Sequence, residues 1–366
     1  MADVHDIEMV RLGGITPEER AWYEKDKVAI NTKISSLNKA AAKSAKLERC
    51  LLCHKACSSF CNSHSIPQFA LRRIAENGKV MLPLQEELFT VGSSTGVNKA
   101  GTFYTICNDC DSRVFQQYEN PAAYTSTPTN QMLAQIALKN ILLMISKRHQ
   151  ERAEYMLIGK QSDSLQAFAD EKIFWGDLDL RDYGENLEYA KSSLNGRKSN
   201  QYYLCFFTIL DYVVPYAAQS SITLISDFED NIVNNIYSQE ETYRIKDIHV
   251  AVFPLKSTSA ILLFIEDGVK RYRKFYRSLR KLSKEDQLAA INYLIFSYTE
   301  NVFMNPTTHK ELKKNDSFMD MCRKCTDFRS HTLFPASDPL EAAVREFSLS
   351  KRNEIPNLLS REYALL

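Results

Sequence analysis

Residues 50–69 read CLLCHKACSSFCNSHSIPQF, and residues 101–121 read GTFYTICNDCDSRVFQQYENP. Each stretch holds one Cys-x-x-Cys pair, Cys50/Cys53 in the first and Cys107/Cys110 in the second. Such a pair sits on a tight turn that aims two sulfurs at one point, and tetrahedral zinc accepts four thiolates. The pairs are 53 residues apart, more than the roughly 15–20 of the usual signature, so the segment between them must loop out. The chain has nine cysteines in 366 residues. In a small secreted domain that number means disulfides; here the clustering into pairs predicts metal in a reducing cytoplasm. Cys57 and Cys61 follow the first pair, and Cys322 and Cys325 form a third pair far along the chain. These four are either a second zinc site or buried thiols.

Upstream of this stretch, residues 1–16 are polar and read as a loose lead-in. Thr16-Pro17-Glu18-Glu19 opens a helix, with threonine as cap, proline at the first helical position and acids in the first turn. The Lys/Ala-rich run to residue 49 makes 1–49 a basic helical arm. Residues 25–80 carry eleven Lys/Arg against three acids, a patch that suits either phosphate or a solvated helix face. Within 50–127, a helix is predicted from Pro67 through Glu76, short strands at 79–84 and 101–106, and another helix over 110–119. Pro121 and Pro128 flank a Thr/Ser-rich stretch, which marks the boundary of a second domain at 128–366.

Residues 129–147 have apolar side chains at helical spacing (Met132, Leu133, Ile136, Ile141, Leu142, Ile145), with more helix at 148–158 and 182–195. Runs at 202–214, 222–226, 248–255 and 259–265 are β-branched and aromatic, and Lys256-Ser257-Thr258 joins the last two as a hairpin. Helices return at 267–282 and 284–301, the second opened by Ser283-Lys284-Glu285-Asp286. The expected fold class is α+β, a zinc-bound N-terminal unit followed by a mostly helical domain with a small antiparallel sheet. That C-terminal domain reads as a regulatory module or a surface for a protein partner or a second copy.

Composition is that of a globular protein with a core: 44% hydrophobic, 25% charged, net charge +1. The first twenty residues contain acids and no apolar run, so no export signal is expected. Asp211 interrupts the most apolar stretch, so no membrane span is expected. There is no phosphate-binding glycine loop, no Ser-His-Asp order and no dinucleotide fingerprint. The run KRYRKFYRSLRK at 270–281 interleaves cations with Tyr272, Phe275 and Tyr276. It suits either a nucleic-acid contact or an amphipathic helix with its aromatic face inward.

Cys50-Leu-Leu-Cys53, Ser63-His64-Ser65-Ile66-Pro67 and Cys107-Asn108-Asp109-Cys110-Asp111, taken together, resemble the zinc-bound HNH (His-Me finger) endonucleases. The resemblance covers about 48–120 and implies a treble-clef or ββα-metal unit. It implies that His64 takes a proton from the attacking water, as an imidazole suits near neutral pH. It implies that Asp111, with Glu119 as a further carboxylate, binds a Mg²⁺ or Mn²⁺ at the scissile phosphate, and that Asn108 or Asn98 orients the base. Zinc on Cys50, Cys53, Cys107 and Cys110 would be structural only. Ser63 stands where family members often carry a metal-binding residue. The implied function is cleavage of DNA, in stand-alone members with large accessory domains as defence against phage or foreign DNA. The alternative from a different class is a non-catalytic zinc module that binds nucleic acid or protein, with His64 structural.

Overall fold

Two apolar runs, IHVAVFP and SAILLFIE, pair as neighbouring strands at the centre of an antiparallel sheet. The structure, a computed structural model, describes residues 17–84, 94–196, 201–326 and 338–365. The lead-in at 1–16 and part of the 79–101 insertion lie outside the described residues. Five strands make the sheet: β5 (Tyr202–Leu210), β6 (Tyr216–Ile222), β7 (Ile248–Pro254), β8 (Ser259–Glu266) and β9 (Val302–Met304), in the order β5-β8-β7-β6-β9. Every residue of β7 and β8 is buried, because helices cover both faces. Ala251, Phe253, Ala260, Leu262 and Phe264 point into one core. Their neighbours Val250, Val252, Ile261, Leu263 and Ile265 point into the other. A strand buried on both sides has no polar face to show, so its sequence reads as a continuous apolar run.

The hairpin predicted at Lys256-Ser257-Thr258 joins β7 to β8, with Leu255 donating to the Thr258 carbonyl at 2.8 Å. Two strands differ from expectation. β6 lies at Tyr216–Ile222, sequence YAAQSSI, whose small and polar residues hid it; the apolar 222–226 is mostly the exit from it. β9 is only three residues long and pairs with β6 through Tyr216↔Met304 and Ala218↔Val302.

On the first face lie α4 (Asn130–Gly159) and α5 (Asp163–Leu194), two long antiparallel helices. The separate helical pieces expected at 148–158 and 182–195 are parts of these continuous ones. Thr129 accepts from the Met132 amide and Ser162 from the Leu165 amide, so each helix starts on a hydroxyl cap. Arg148 to Asp179, 2.8 Å, and Arg152 to Asp177, 3.1 Å, tie them together. The second face carries α6 (Arg273–Lys281), α7 (Lys284–Tyr298) and α9 (Asp316–Thr326), with Ser283 capping α7 through the Asp286 amide as predicted. Between β9 and α9 lies α8 (Pro306–Leu312), and α10 (Pro339–Glu346) follows α9.

The N-terminal unit packs on the first face. It consists of α1 (Pro17–Ser44), β1 (Ser63–His64), α2 (Gln68–Ile74), β2 (Lys79–Val80), β3 (Thr95–Gly96), β4 (Thr102–Phe103) and α3 (Asn108–Val114). Here β1 pairs antiparallel with β4, and β2 with β3. Phe253 of β7 carries the junction: its ring meets Phe69, Tyr118 and Tyr124 at centroid distances of 6.0, 6.4 and 5.4 Å. Removing such a buried aromatic costs about 3–5 kcal/mol, so the unit shares its core with the sheet. Ser65 adds a polar tie, donating to Asn301 Oδ1 at 2.9 Å while its amide donates to the Gly101 carbonyl. Gly101 has φ +62°, and a Cβ there would meet Ser65 Oγ at 2.5 Å, so only glycine fits this crossing. Among the described residues, no helix is long and apolar enough to cross a membrane.

Candidate metal centre and the adjoining histidine

The two knuckles meet. The sulfurs of Cys50, Cys53, Cys107 and Cys110 all lie within 4.8 Å of one another. The Cys53 and Cys107 sulfurs are 3.8 Å apart, close to the edge of a tetrahedron with zinc–sulfur bonds of about 2.3 Å. Local backbone chemistry builds this. His54 adopts φ +58° and donates its amide to the Cys50 carbonyl at 2.9 Å, closing the first knuckle. The second opens α3, with Cys110 one turn in and facing the core. Burial works to raise the Cys50 thiol, but nearby backbone amides, the Cys107 amide among them at 3.4 Å, bring it down to about 7. A thiol that ionises near neutral pH is a ready metal ligand. Four cysteine sulfurs at this spacing fit a metal ion, and the donor set is compatible with structural zinc.

Among the described residues, no other group of three or more His, Cys, Asp or Glu side chains is close enough to hold an ion. The second zinc site weighed from Cys57, Cys61, Cys322 and Cys325 is therefore not assembled. Cys322 is buried in the second core, and Cys61 donates to Asp111 Oδ2 at 3.3 Å.

Asp111 lies on α3 directly after the last cysteine ligand, and both its oxygens have partners. Oδ1 accepts from Lys139 Nζ at 2.8 Å and from Ser63 Oγ at 2.5 Å. Lys139, on α4, is 0% exposed; its Nζ also lies 3.0 Å from Ser63 Oγ, 3.2 Å from Glu119 and 3.8 Å from the centroid of the Phe115 ring. Burial pushes the Asp111 carboxyl up, but the Lys139 ammonium and the Ser63 and Cys61 bonds more than offset it, and the group ends below its usual range. Glu119, the second carboxylate on the same ammonium, ends above its usual range, because burial and the Asp111 charge outweigh its share of Lys139. The divalent cation that the family resemblance implies does not fit. A buried ammonium already stands between Asp111 and Glu119, and Ser63 supports that pair.

His64 faces a different environment. Its Nε2 lies 3.1 Å from the Val97 carbonyl, an acceptor only, so Nε2 carries the hydrogen and Nδ1 keeps a lone pair. Gln68 Nε2 is 3.4 Å from the same nitrogen. Burial lowers the His64 pKa, and the Lys139 and Arg72 charges add to that, so the ring is neutral near pH 7. Asn98, one of the two asparagines weighed for orienting the base, lies beside it. Its side chain accepts from Gln68 at 3.1 Å and its carbonyl accepts from Asn62 at 3.2 Å. Asn108 is exposed at the start of α3. Arg72, exposed one turn beyond Gln68, donates to Gln68 Oε1 at 2.8 Å.

Sequence reading missed Lys139, Gln68 and Arg72. For the last two a signal existed: His64, Gln68 and Arg72 recur every four residues, which puts 68 and 72 on one helix face. For Lys139 the signal was a lone lysine inside the apolar run LAQIALKNILLMI, where a buried cation needs a carboxylate from elsewhere. No family model, curated protein or solved structure matches this chain.

Proposed function

We propose that the cysteine-anchored unit hydrolyses phosphodiester bonds in nucleic acid, with His64 as general base. The observation that carries this is the fixed ring: Nε2 given to the Val97 carbonyl leaves Nδ1 as a proton acceptor on a neutral imidazole. In the proposed step Nδ1 takes a proton from water, the water oxygen attacks phosphorus, and the leaving oxygen departs with the bonding pair. Arg72, exposed on the same helix face as Gln68, supplies positive charge for the phosphate oxygens. An antiparallel β1–β4 pair followed by a helix that begins at a cysteine pair supports the ββα or treble-clef reading of residues 50–119. Zinc would hold strand pair and helix in register and take no part in the step.

The Lys139–Asp111 pair favours a second reading, a non-catalytic zinc module that binds nucleic acid or protein. With Asp111 paired to Lys139, no free carboxylate is left beside His64 among the described residues, and the histidine would serve only to close the loop at Val97. The two separate in a cleavage assay on supercoiled plasmid and on single-stranded RNA, with and without added Mg²⁺ or Mn²⁺. Hydrolysis predicts that His64→Ala loses about 10²–10⁴-fold in rate, as loss of a general base does, with a smaller loss for Arg72→Ala. Equal residual cleavage by wild type and His64→Ala would leave the non-catalytic role standing.

A further inference from the structure

The segment 268–284 contains eight Lys/Arg and no acid; Asp267 and Glu285 stand at its two ends. Its core side is settled, with Tyr272, Phe275 and Leu279 each 0% exposed in the second core. Along α6, at about 100° per residue, Arg273, Lys274, Arg277, Arg280 and Lys281 fall within an arc of about 120°, opposite Phe275 and Leu279; Lys270 stands in the 3-10 turn before the helix, and Lys284 begins α7. Arg271, in the same turn as Lys270, is used internally, donating to Asn234 Oδ1 at 2.8 Å. Arg280 is held against the Tyr203 and Tyr276 rings, and Lys284 lies 4.6 Å from the Phe206 ring centroid. The remaining five, Lys270, Arg273, Lys274, Arg277 and Lys281, are exposed and make no ion pair among the described residues. This is a local concentration, since the whole chain carries only +1.

From these facts we infer that the outer face of α6 and its entry turn is a nucleic-acid backbone-binding surface. Like charges stacked along one helix face repel at spacings of i,i+3 and i,i+4, a cost with no internal compensation, which a polyanion relieves. The stripe from Lys270 to Lys281 is about 16 Å long, so its five free cations average one per about 3.3 Å of axis, close to the about 3.4 Å per charge along one strand of a duplex. An anionic membrane suits it less: an interfacial helix must bury an apolar face in lipid, and the apolar face of α6 is already in the core. Arginines at 273 and 277 favour phosphate through their forked donors. The helix lies on the second face of the sheet, and the cysteine unit on the first. The surface thus deepens the proposed nucleic-acid role but does not depend on chemistry at His64.

The test is fluorescence anisotropy with a labelled DNA duplex of about 20 base pairs, titrated across salt without added divalent ions. Five released counterions predict a slope of log K on log salt of about −4.5. The variant Arg273→Glu/Lys274→Glu/Arg277→Glu alters only exposed side chains, so circular dichroism and melting should match wild type. It is expected to bind at least tenfold more weakly, with a slope near about −2. His64→Ala is expected to bind like wild type, so failed cleavage and failed binding are distinguishable. Binding of the folded triple variant within about twofold of wild type overturns the inference. So does wild-type capture by phosphatidylserine vesicles without capture of the duplex.

Discussion

Replacing Lys139 with methionine removes one ammonium and leaves two carboxylates facing each other. Methionine keeps the length and apolar bulk of the lysine stem, so α4 packing is retained and the change is chiefly electrostatic. Breaking a buried ion pair costs about 3–5 kcal/mol, because the surviving charge has no compensation. Asp111 keeps 21% and Glu119 36% side-chain exposure, so solvent screens part of that, and about 3 kcal/mol is expected. At about 2.1 cal/mol/K per residue over 366 residues, the unfolding entropy is about 0.8 kcal/mol/K, which makes the expected fall in Tm about 4 °C. Lys139→Met/Asp111→Asn should recover most of it, a coupling of at least about 1 kcal/mol in a double-mutant cycle. Scanning calorimetry reads the first two effects. Added Mn²⁺ supplies a third: it should raise the Tm of Lys139→Met, where two carboxylates lack a counter-charge, and leave wild type unchanged. Equal stabilisation of both proteins would mean Asp111 accepts a divalent cation in the wild type, refuting the occupied-ligand account and restoring the metal-dependent mechanism.

Further outcomes follow from other parts of the molecule. Cys107→Ser should abolish equimolar zinc in elemental analysis and expose amides across 50–119 to hydrogen exchange, since metal binding and folding are one free energy in such sites. Undiminished zinc in that variant would remove the metal centre. Asp247 is partly buried just before β7, with Thr223 as hydroxyl partner at 2.7 Å, and burial lifts its carboxyl to about 6 from 3.8. A raised carboxyl costs stability above pH 6 and recovers it as pH falls toward 3.8, so Asp247→Asn should stabilise at pH 7.5 by at most about 3 kcal/mol and lose its advantage by pH 4. No gain at pH 7.5 in calorimetry would mean the carboxylate has a compensating charge. Gly101→Ala forces a side chain into φ +62° and onto Ser65, so a loss of about 2–3 kcal/mol in denaturant melts is expected, only partly restored by Ser65→Ala.

Local signals in the chain were legible where chemistry or chain geometry acts within a few residues. The cap at Ser283 sits where a hydroxyl and two acids open a helical run, and the β7–β8 turn falls between two apolar stretches. The strand β6 was hidden because a strand sandwiched between two helical layers at a crowded position can be built of alanine and serine. The length of α4 and α5 was underestimated because their polar residues pair with each other across the helix hairpin, a contact that no window of single sequence contains.

The sequence by itself determined the α+β class, the four cysteines that converge and the presence of His64 beside them, since Cys-x-x-Cys turns and apolar periodicity are properties of short segments. Only the tertiary structure decided what those residues meet. Lys139 lies 28 residues beyond Asp111 and reaches it because α4 runs beneath α3; Ser63 reaches the same carboxylate because β1 folds back over 48 residues. A buried ion pair is fixed by which elements pack together, and that is set by the whole core. The cysteines could therefore be assigned from spacing, whereas the state of Asp111, held by an ammonium and not open to a cation, could not.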